Sequence, residues 1–419
     1  MTNLLILPIV IPLVAAVAGV LLPKNRPWQG AMGVASSLAL VGVAFVIAAQ
    51  VRGGDILTLN IGSWVPPFGI IMVADMLSAV MLCLTAVVAL ATTVYACADI
   101  DDDRISYGFF PFLNFLICGM CGAFLTGDLF NLYVWFEVML IASFALLSLG
   151  GLKRQLYGTI KYVGLNLIAT LLLLTAIGIL YGLTGAVNMA DVAQRIPHTE
   201  NQHLVTATAV LFMIAFGIKA AVFPLFFWLP ASYHMPPVAV SAIFAGLLTK
   251  VGVYALYRVM TLIFINDITW THGILAFAAG VTMVAGVLGA AVQTSIRRIF
   301  SYSVISAIGF MVLGLSLMTK LAIIGGVFYM IHDILVKANL FFVGGLVRNF
   351  AGGSHIFKVG GLYKASPWLA VLFMVPALSL AGVPPFSGFW AKLTLVMATI
   401  EVEAWGLVLI ALFTGLFTL

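Results

Sequence analysis

The stretch that decides the fold is LFNLYVWFEVMLIASFALLSLG, residues 129–150, an apolar run whose one charged side chain, Glu137, lies near its middle. A helix that crosses a bilayer needs about twenty mostly apolar residues, and this run supplies them. The same signature repeats along the chain. Apolar runs separated by short polar or Pro/Gly breaks fall near 3–22, 30–50, 70–98, 108–126, 129–150, 158–183, 204–228 and 238–262. Others fall near 272–293, 299–318, 320–346, 366–398 and 403–419. The expectation is an all-α integral membrane protein of thirteen visible spans. Gly406 to Leu419 closes the given sequence without a polar tail, which leaves room for a fourteenth.

Composition agrees. Of 419 residues, 63% are hydrophobic and 8% charged, against roughly a quarter charged in soluble domains. The first run, from Leu4 to Leu22, lacks the basic start and small-residue cleavage site of a secretory signal, so it reads as a true span. The net charge of +5 is scattered and forms no basic cluster, which argues against a nucleic-acid partner. Cys83, Cys97, Cys118 and Cys121 lie in or beside apolar runs with no second His or Cys cluster, so they read as packing residues, with no metal site expected. The sequence has no phosphate-cradling glycine loop, haem motif or nucleophile elbow, so no cofactor is expected and the chain does not read as an enzyme.

Lysines and arginines in alternate connections set the orientation. Lys24, Arg26, Arg104, Lys153, Arg154, Arg297, Arg298, Arg348, Lys358 and Lys364 fall on one side; Arg52, Arg195, Arg258 and Lys320 fall on the other. The richer side is expected to be cytoplasmic and the N-terminus outside. Asp101, Asp102 and Asp103 weigh little in that rule. The longest connection, Leu183 to His203, has the pattern of a short interfacial helix.

Charged side chains deep in a membrane face protein or water and mark ion or proton pathways by default. Glu137 has no basic neighbour in sequence, so its partner must come from another helix. Lys219, in Ala215-Phe-Gly-Ile-Lys219-Ala-Ala-Val-Phe-Pro224, and Lys250, after Ala245-Gly-Leu-Leu-Thr249, lie centrally in apolar runs. Burial disfavours the charged form of each group and an opposite charge restores it. A Glu137–Lys219 pair therefore either handles a proton as its geometry changes or pins two helices statically. His332, Asp333 and Lys337 share one span, with Asp333 and Lys337 one turn apart and able to neutralise each other. His332 is a relay or an interhelical hydrogen-bond donor. Lys392 is either a pathway site or an anchor that snorkels to the interface. Pro224 interrupts the seventh span, and Gly382-Val-Pro384-Pro385 the twelfth. Paired interruptions of this kind point to an inverted-repeat transporter, although Lys219 precedes its proline and Lys392 follows.

Four segments carry a resemblance: Gly127-Asp-Leu-Phe-Asn-Leu-Tyr-Val-Trp-Phe-Glu137, Phe216-Gly-Ile-Lys219 through Phe227-Trp-Leu-Pro230, Val240-Ser-Ala-Ile-Phe-Ala-Gly-Leu-Leu-Thr-Lys250, and Arg297-Arg-Ile-Phe-Ser-Tyr-Ser-Val-Ile-Ser306. They resemble the antiporter-like subunits, a family that includes the A-type and D-type subunits of Mrp cation/proton antiporters and the proton-channel subunits of respiratory complex I. Glu137, Lys219, Lys250 and Lys392, with the compact opening, look most similar to the D-type Mrp subunits. The resemblance implies fourteen spans, two inverted five-helix repeats with broken helices seven and twelve, and a polar axis at the bilayer midplane. On this sequence that means one membrane domain, 1–419: three N-terminal helices in 1–107, the first repeat in 108–262 and the second in 272–419.

The resemblance also implies that Glu137 pairs with Lys219, and that Lys250, His332, Lys337 and Lys392 continue a proton path coupled to export of Na+ or K+. It implies the other Mrp subunits as partners, membrane lipids as surroundings and the bacterial plasma membrane as location. Two rivals are a proton-pumping subunit of a redox-driven complex, as in complex I or a membrane hydrogenase, and a membrane scaffold that needs none of these charges.

Overall fold

The computed structural model describes residues 2–64 and 69–419. It is a multi-pass all-α membrane protein. Ten helices among the described residues are long and apolar enough to cross a bilayer, and Phe109–Leu125, Pro367–Ala381 and Trp405–Thr418 are shorter apolar helices. The chain packs as two compact units: Met1–Phe216 with Tyr254–Asn266, and Gly217–Val253 with Asp267–Leu419.

The first unit opens with α1 (Leu7–Leu21) and α2 (Arg26–Val51), the latter capped by the Asn25 side chain, which accepts from the Trp28 N–H at 3.4 Å. Two strands follow, β1 (Leu57–Asn60) and β2 (Ile71–Ala74), antiparallel with Leu57 opposite Ala74 and Asn60 opposite Ile71. The third span therefore starts later than its hydropathy suggests. Ile71–Ala74 is apolar enough to pass for helix, but Asp75 accepts from the Ser78 N–H at 2.9 Å and caps α3 (Met76–Asp99) at its true start. Then come α4 (Phe109–Leu125), α5 (Leu129–Ser148) and α6 (Lys153–Thr184). A side chain at Gly122 would collide with the Trp135 ring, so glycine on α4 admits α5 closely. Outward apolar residues such as Ile160 and Leu171 are exposed, as lipid-facing side chains are. The connection after α6 holds the expected short helix, Met189–Arg195, capped by Asn188.

Helices α7 (Gln202–Ala220) and α8 (Val238–Leu262) carry residues of both units. The second unit continues with α9 (Ile268–Ala291), α10 (Ile296–Ser316) and α11 (Lys320–Ala351). Span twelve is split into α12 (Pro367–Ala381) and α13 (Ser387–Glu401), and α14 (Trp405–Thr418) follows. Small residues again set the close packing. A Cβ at Gly309 would press on Met283 of α9, and one at Gly314 on the backbone of Gly326 in α11.

Candidate functional site

The site is built on two helix interruptions in the second unit. Helix α7 stops where Ala221 turns left-handed, φ +63°. The Ala221 N–H bonds the Ile218 carbonyl at 3.1 Å and the Val222 N–H bonds the Gly217 carbonyl at 2.9 Å, the two bonds of a Schellman closure. The chain passes Pro224 before a short turn, Trp228–Ser232. Helix α12 ends the same way. Gly382 has φ +88°, its N–H is 3.1 Å from the Ser379 carbonyl, and the Val383 N–H is 3.1 Å from the Leu378 carbonyl. Pro384 and Pro385 forbid continuation, and α13 begins at Ser387.

A broken helix leaves carbonyls with acceptor capacity to spare, and side chains take it up. The Trp228 Nε1–H donates to the Ile218 carbonyl at 2.9 Å. Lys392 Nζ donates to the carbonyls of Leu380 and Ala381 at 3.0 and 3.1 Å, and lies 5.5 Å from the centre of the Phe310 ring. The interfacial-anchor reading of Lys392 is thereby corrected. Its ammonium turns inward, to the negative end of α12, because the break offers it acceptors that a continuous helix would not.

His332 is buried on α11, with Nδ1 2.9 Å from Ser387 Oγ and 3.5 Å from Ser379 Oγ. Only glycine at position 388 leaves room, since a Cβ there would lie 2.9 Å from the imidazole. His332 thus abuts the break in span twelve. One residue on, Asp333 faces elsewhere. Its Oδ2 is 2.7 Å from Lys250 Nζ and its Oδ1 is 3.8 Å from Lys337 Nζ, with all three side chains at 0% exposure. The expected pairing of Asp333 with Lys337 exists, but Lys250 is the nearer partner. Lys337 Nζ also donates to Ser303 Oγ of α10 at 2.7 Å.

Lys250 owes its position to a wide turn in α8. Phe244–Leu248 is π-helical, a local form that recurs at functional sites, and the Ala245 carbonyl accepts from Lys250 Nζ. Gly252, two residues past Lys250, lets the backbone of Lys219 and Ala220 approach α8. Lys219 itself is buried in the last turn of α7. A cavity of about 540 Å³ in this unit is lined by Ser303, Ser306, Tyr329, Leu380 and Ala381 among others, so it meets the polar partners of both Lys337 and Lys392.

Glu137 belongs to the first unit, half-buried on α5. That unit holds a charged cluster the sequence did not reveal. Arg258 donates to both carboxylate oxygens of Asp75, one at 2.6 Å, to Ser78 Oγ at 2.8 Å, and through Nε to the Tyr254 hydroxyl at 2.9 Å. Tyr254 donates to the Phe124 carbonyl at 2.8 Å. Burial opposes the charge of Asp75, but the Arg258 guanidinium overcomes it and holds the carboxyl below its ordinary range. Arg258 had read as a plain loop cation, and 183 residues separate it from Asp75.

The transmembrane family described as NADH:quinone oxidoreductase/Mrp antiporter matches residues 126–418. The D-type subunit of the Na(+)/H(+) antiporter of Alkalihalophilus pseudofirmus is 44% identical over 422 residues, covering 100% of this chain and 85% of that protein. Among solved structures, a chain of the Mrp complex from a Dietzia species matches with a TM-score of 0.93 at 32% identity, over 100% of this chain and 78% of that one. A chain of the membrane-bound sulfane sulfur reductase, an archaeal respiratory membrane complex, matches with a TM-score of 0.93 at 27% identity, over 100% of this chain and 86% of its own.

Proposed function

The chain belongs to the NADH:quinone oxidoreductase/Mrp antiporter transmembrane family, beside relatives named as D-type subunits of Na(+)/H(+) antiporters, and on that premise we propose that it is the proton-translocating subunit of a multisubunit Na+(K+)/H+ antiporter. It is a transporter subunit and not an enzyme, a single membrane domain in the bacterial plasma membrane with its N-terminus outside. Its partners are the other Mrp subunits and membrane lipids; no nucleic acid takes part.

The observation that carries the reading is the fully buried cluster of Lys250, Asp333 and Lys337. Ionisable groups so placed are expensive in a membrane and serve ion or proton paths. In this reading protons pass along Lys219, Lys250, His332 or Lys337, and Lys392. Opening and closing of a Glu137–Lys219 pair sets the proton affinity of Lys219, and repulsion between neighbouring cations favours loading of alternate sites. Proton flow in one direction drives Na+ or K+ in the other.

A redox-driven pump is the second reading, favoured by the equal TM-score of the sulfane sulfur reductase chain. It places the same lysines in a complex that answers to electron flow and not to added cation. The test is expression with the neighbouring membrane subunits in cells lacking native antiporters, with a pH-sensitive dye followed in everted vesicles on addition of NaCl or KCl. A cation-induced pH change that disappears in Glu137→Ala and in Lys219→Ala supports the antiporter. A silent wild-type assembly, or copurified redox subunits, favours the pump.

A further inference from the structure

Two buried lysines and one buried carboxylate do not balance. Lys250 and Lys337 reach Asp333 from either side, at 2.7 and 3.8 Å, and none of the three is exposed. With every group charged the cluster carries a net positive charge, and an uncompensated buried charge is strongly disfavoured. Lys250 also donates to the Ala245 carbonyl and Lys337 to the Ser303 hydroxyl, both neutral groups, and the Lys392 ammonium is close enough to act on Asp333 as a third cation. The one carboxylate is therefore the group for which both amines compete.

We propose that Asp333 is the shared counter-ion of the proton pathway, able to support one of its two lysines as an ammonium at a time, so that a proton arriving at Lys250 displaces the one on Lys337. The displaced proton leaves Lys337 through the Ser303 hydroxyl, which lines the cavity described above. Asp333 is a positioning residue that acts through the lysines. The inference rests on the proton-translocating reading of this subunit and adds to it a carboxylate that the family resemblance did not assign.

The intact multisubunit complex provides the test, in everted vesicles with cation-induced pH change as readout and copurification of the partner subunits as the measure of assembly. Asp333→Asn, nearly isosteric, is expected to assemble and to lose at least tenfold of the response. Asp333→Glu, which keeps the charge, is expected to recover a third of it or more. A response of Asp333→Asn within twofold of wild type overturns the proposal, as does equal loss in an assembled Asp333→Glu, since shape would then matter and charge would not. Should Asp333→Asn assemble poorly, adding Lys337→Met restores assembly by removing one amine left without a counter-ion; failure to restore it overturns the proposal. The assembly arm stands even when wild-type vesicles are silent, so a failed antiporter reading is told apart from a failed counter-ion.

Discussion

Two charged clusters sit inside this protein, and their cations differ. In the second unit Asp333 is shared by Lys250 and Lys337, all three at 0% exposure. In the first unit Asp75 is gripped by Arg258, with 28% and 20% of their side chains exposed. A lysine amine exists with or without its proton and swings on a flexible stem, whereas a guanidinium keeps its proton and locks a carboxylate in a planar fork. One cluster can pass a proton on. The other can only hold helices together, and Arg258 does so by bonding Asp75, Ser78 and Tyr254 at once.

The largest effect should separate the two at once. Lys250→Met removes the nearer partner of Asp333, and vesicles carrying the assembled variant are expected to show less than a tenth of the wild-type cation-induced pH change. Arg258→Lys keeps the charge at the other cluster, and more than half of the response per assembled complex should survive. Equal loss in the two variants would break the comparison, because the arginine cluster would then lie on the proton path as well.

Stability should reverse that order. Arg258→Ala leaves the Asp75 carboxylate half-buried without its charge-assisted hydrogen bonds, a loss of about 1–3 kcal/mol that a lowered melting temperature of the purified complex would report. Acid sharpens the point. The folded Asp75 carboxyl lies below its ordinary value of 3.8, so its contribution is complete above that pH and is lost as pH falls through the depressed value. Melting temperatures of wild type should fall toward those of Asp75→Asn below pH 3.8, while the variant itself stays flatter. A constant gap down to about pH 3 would mean that the ion pair is not what Asp75 contributes.

The two clusters were unequally legible in the sequence. Each of the thirteen apolar runs holds an apolar helix, ten of them among the described residues long enough to cross a bilayer, because length and hydropathy are local properties. Ile71–Ala74 was misread, since an apolar strand and the start of a span look alike to hydropathy and only the Asp75 cap marks the boundary. Lys250 and Lys337 stood out as lone charges in apolar runs. That Asp333 turns to Lys250 before Lys337 was invisible, because it depends on a π-helical turn with no sequence mark and on a partner distant in sequence. Arg258 looked like a loop cation because its run ends four residues later, at Leu262, and its carboxylate comes from another span.

The smallest effects concern the backbone of the two breaks, where the contrast between a movable and a fixed site recurs. Both close with a left-handed residue, Gly382 in one and Ala221 in the other. Gly382→Ala forces a side chain into that conformation and brings its Cβ 3.1 Å from Lys392 Cδ, so about 1 kcal/mol of stability and some of the response should go together. Ala221→Gly relieves the same conformation, but it also removes a methyl group at 0% exposure and adds freedom to the unfolded chain. Relief of about 1–2 kcal/mol on one side stands against about 0.8 kcal/mol for the methyl and about 0.4–1 kcal/mol for the unfolded chain on the other, so its melting temperature should match wild type closely. A clear gain on Ala221→Gly would mean that the strain at Ala221 outweighs its packing, and that span seven holds its break under tension where span twelve does not.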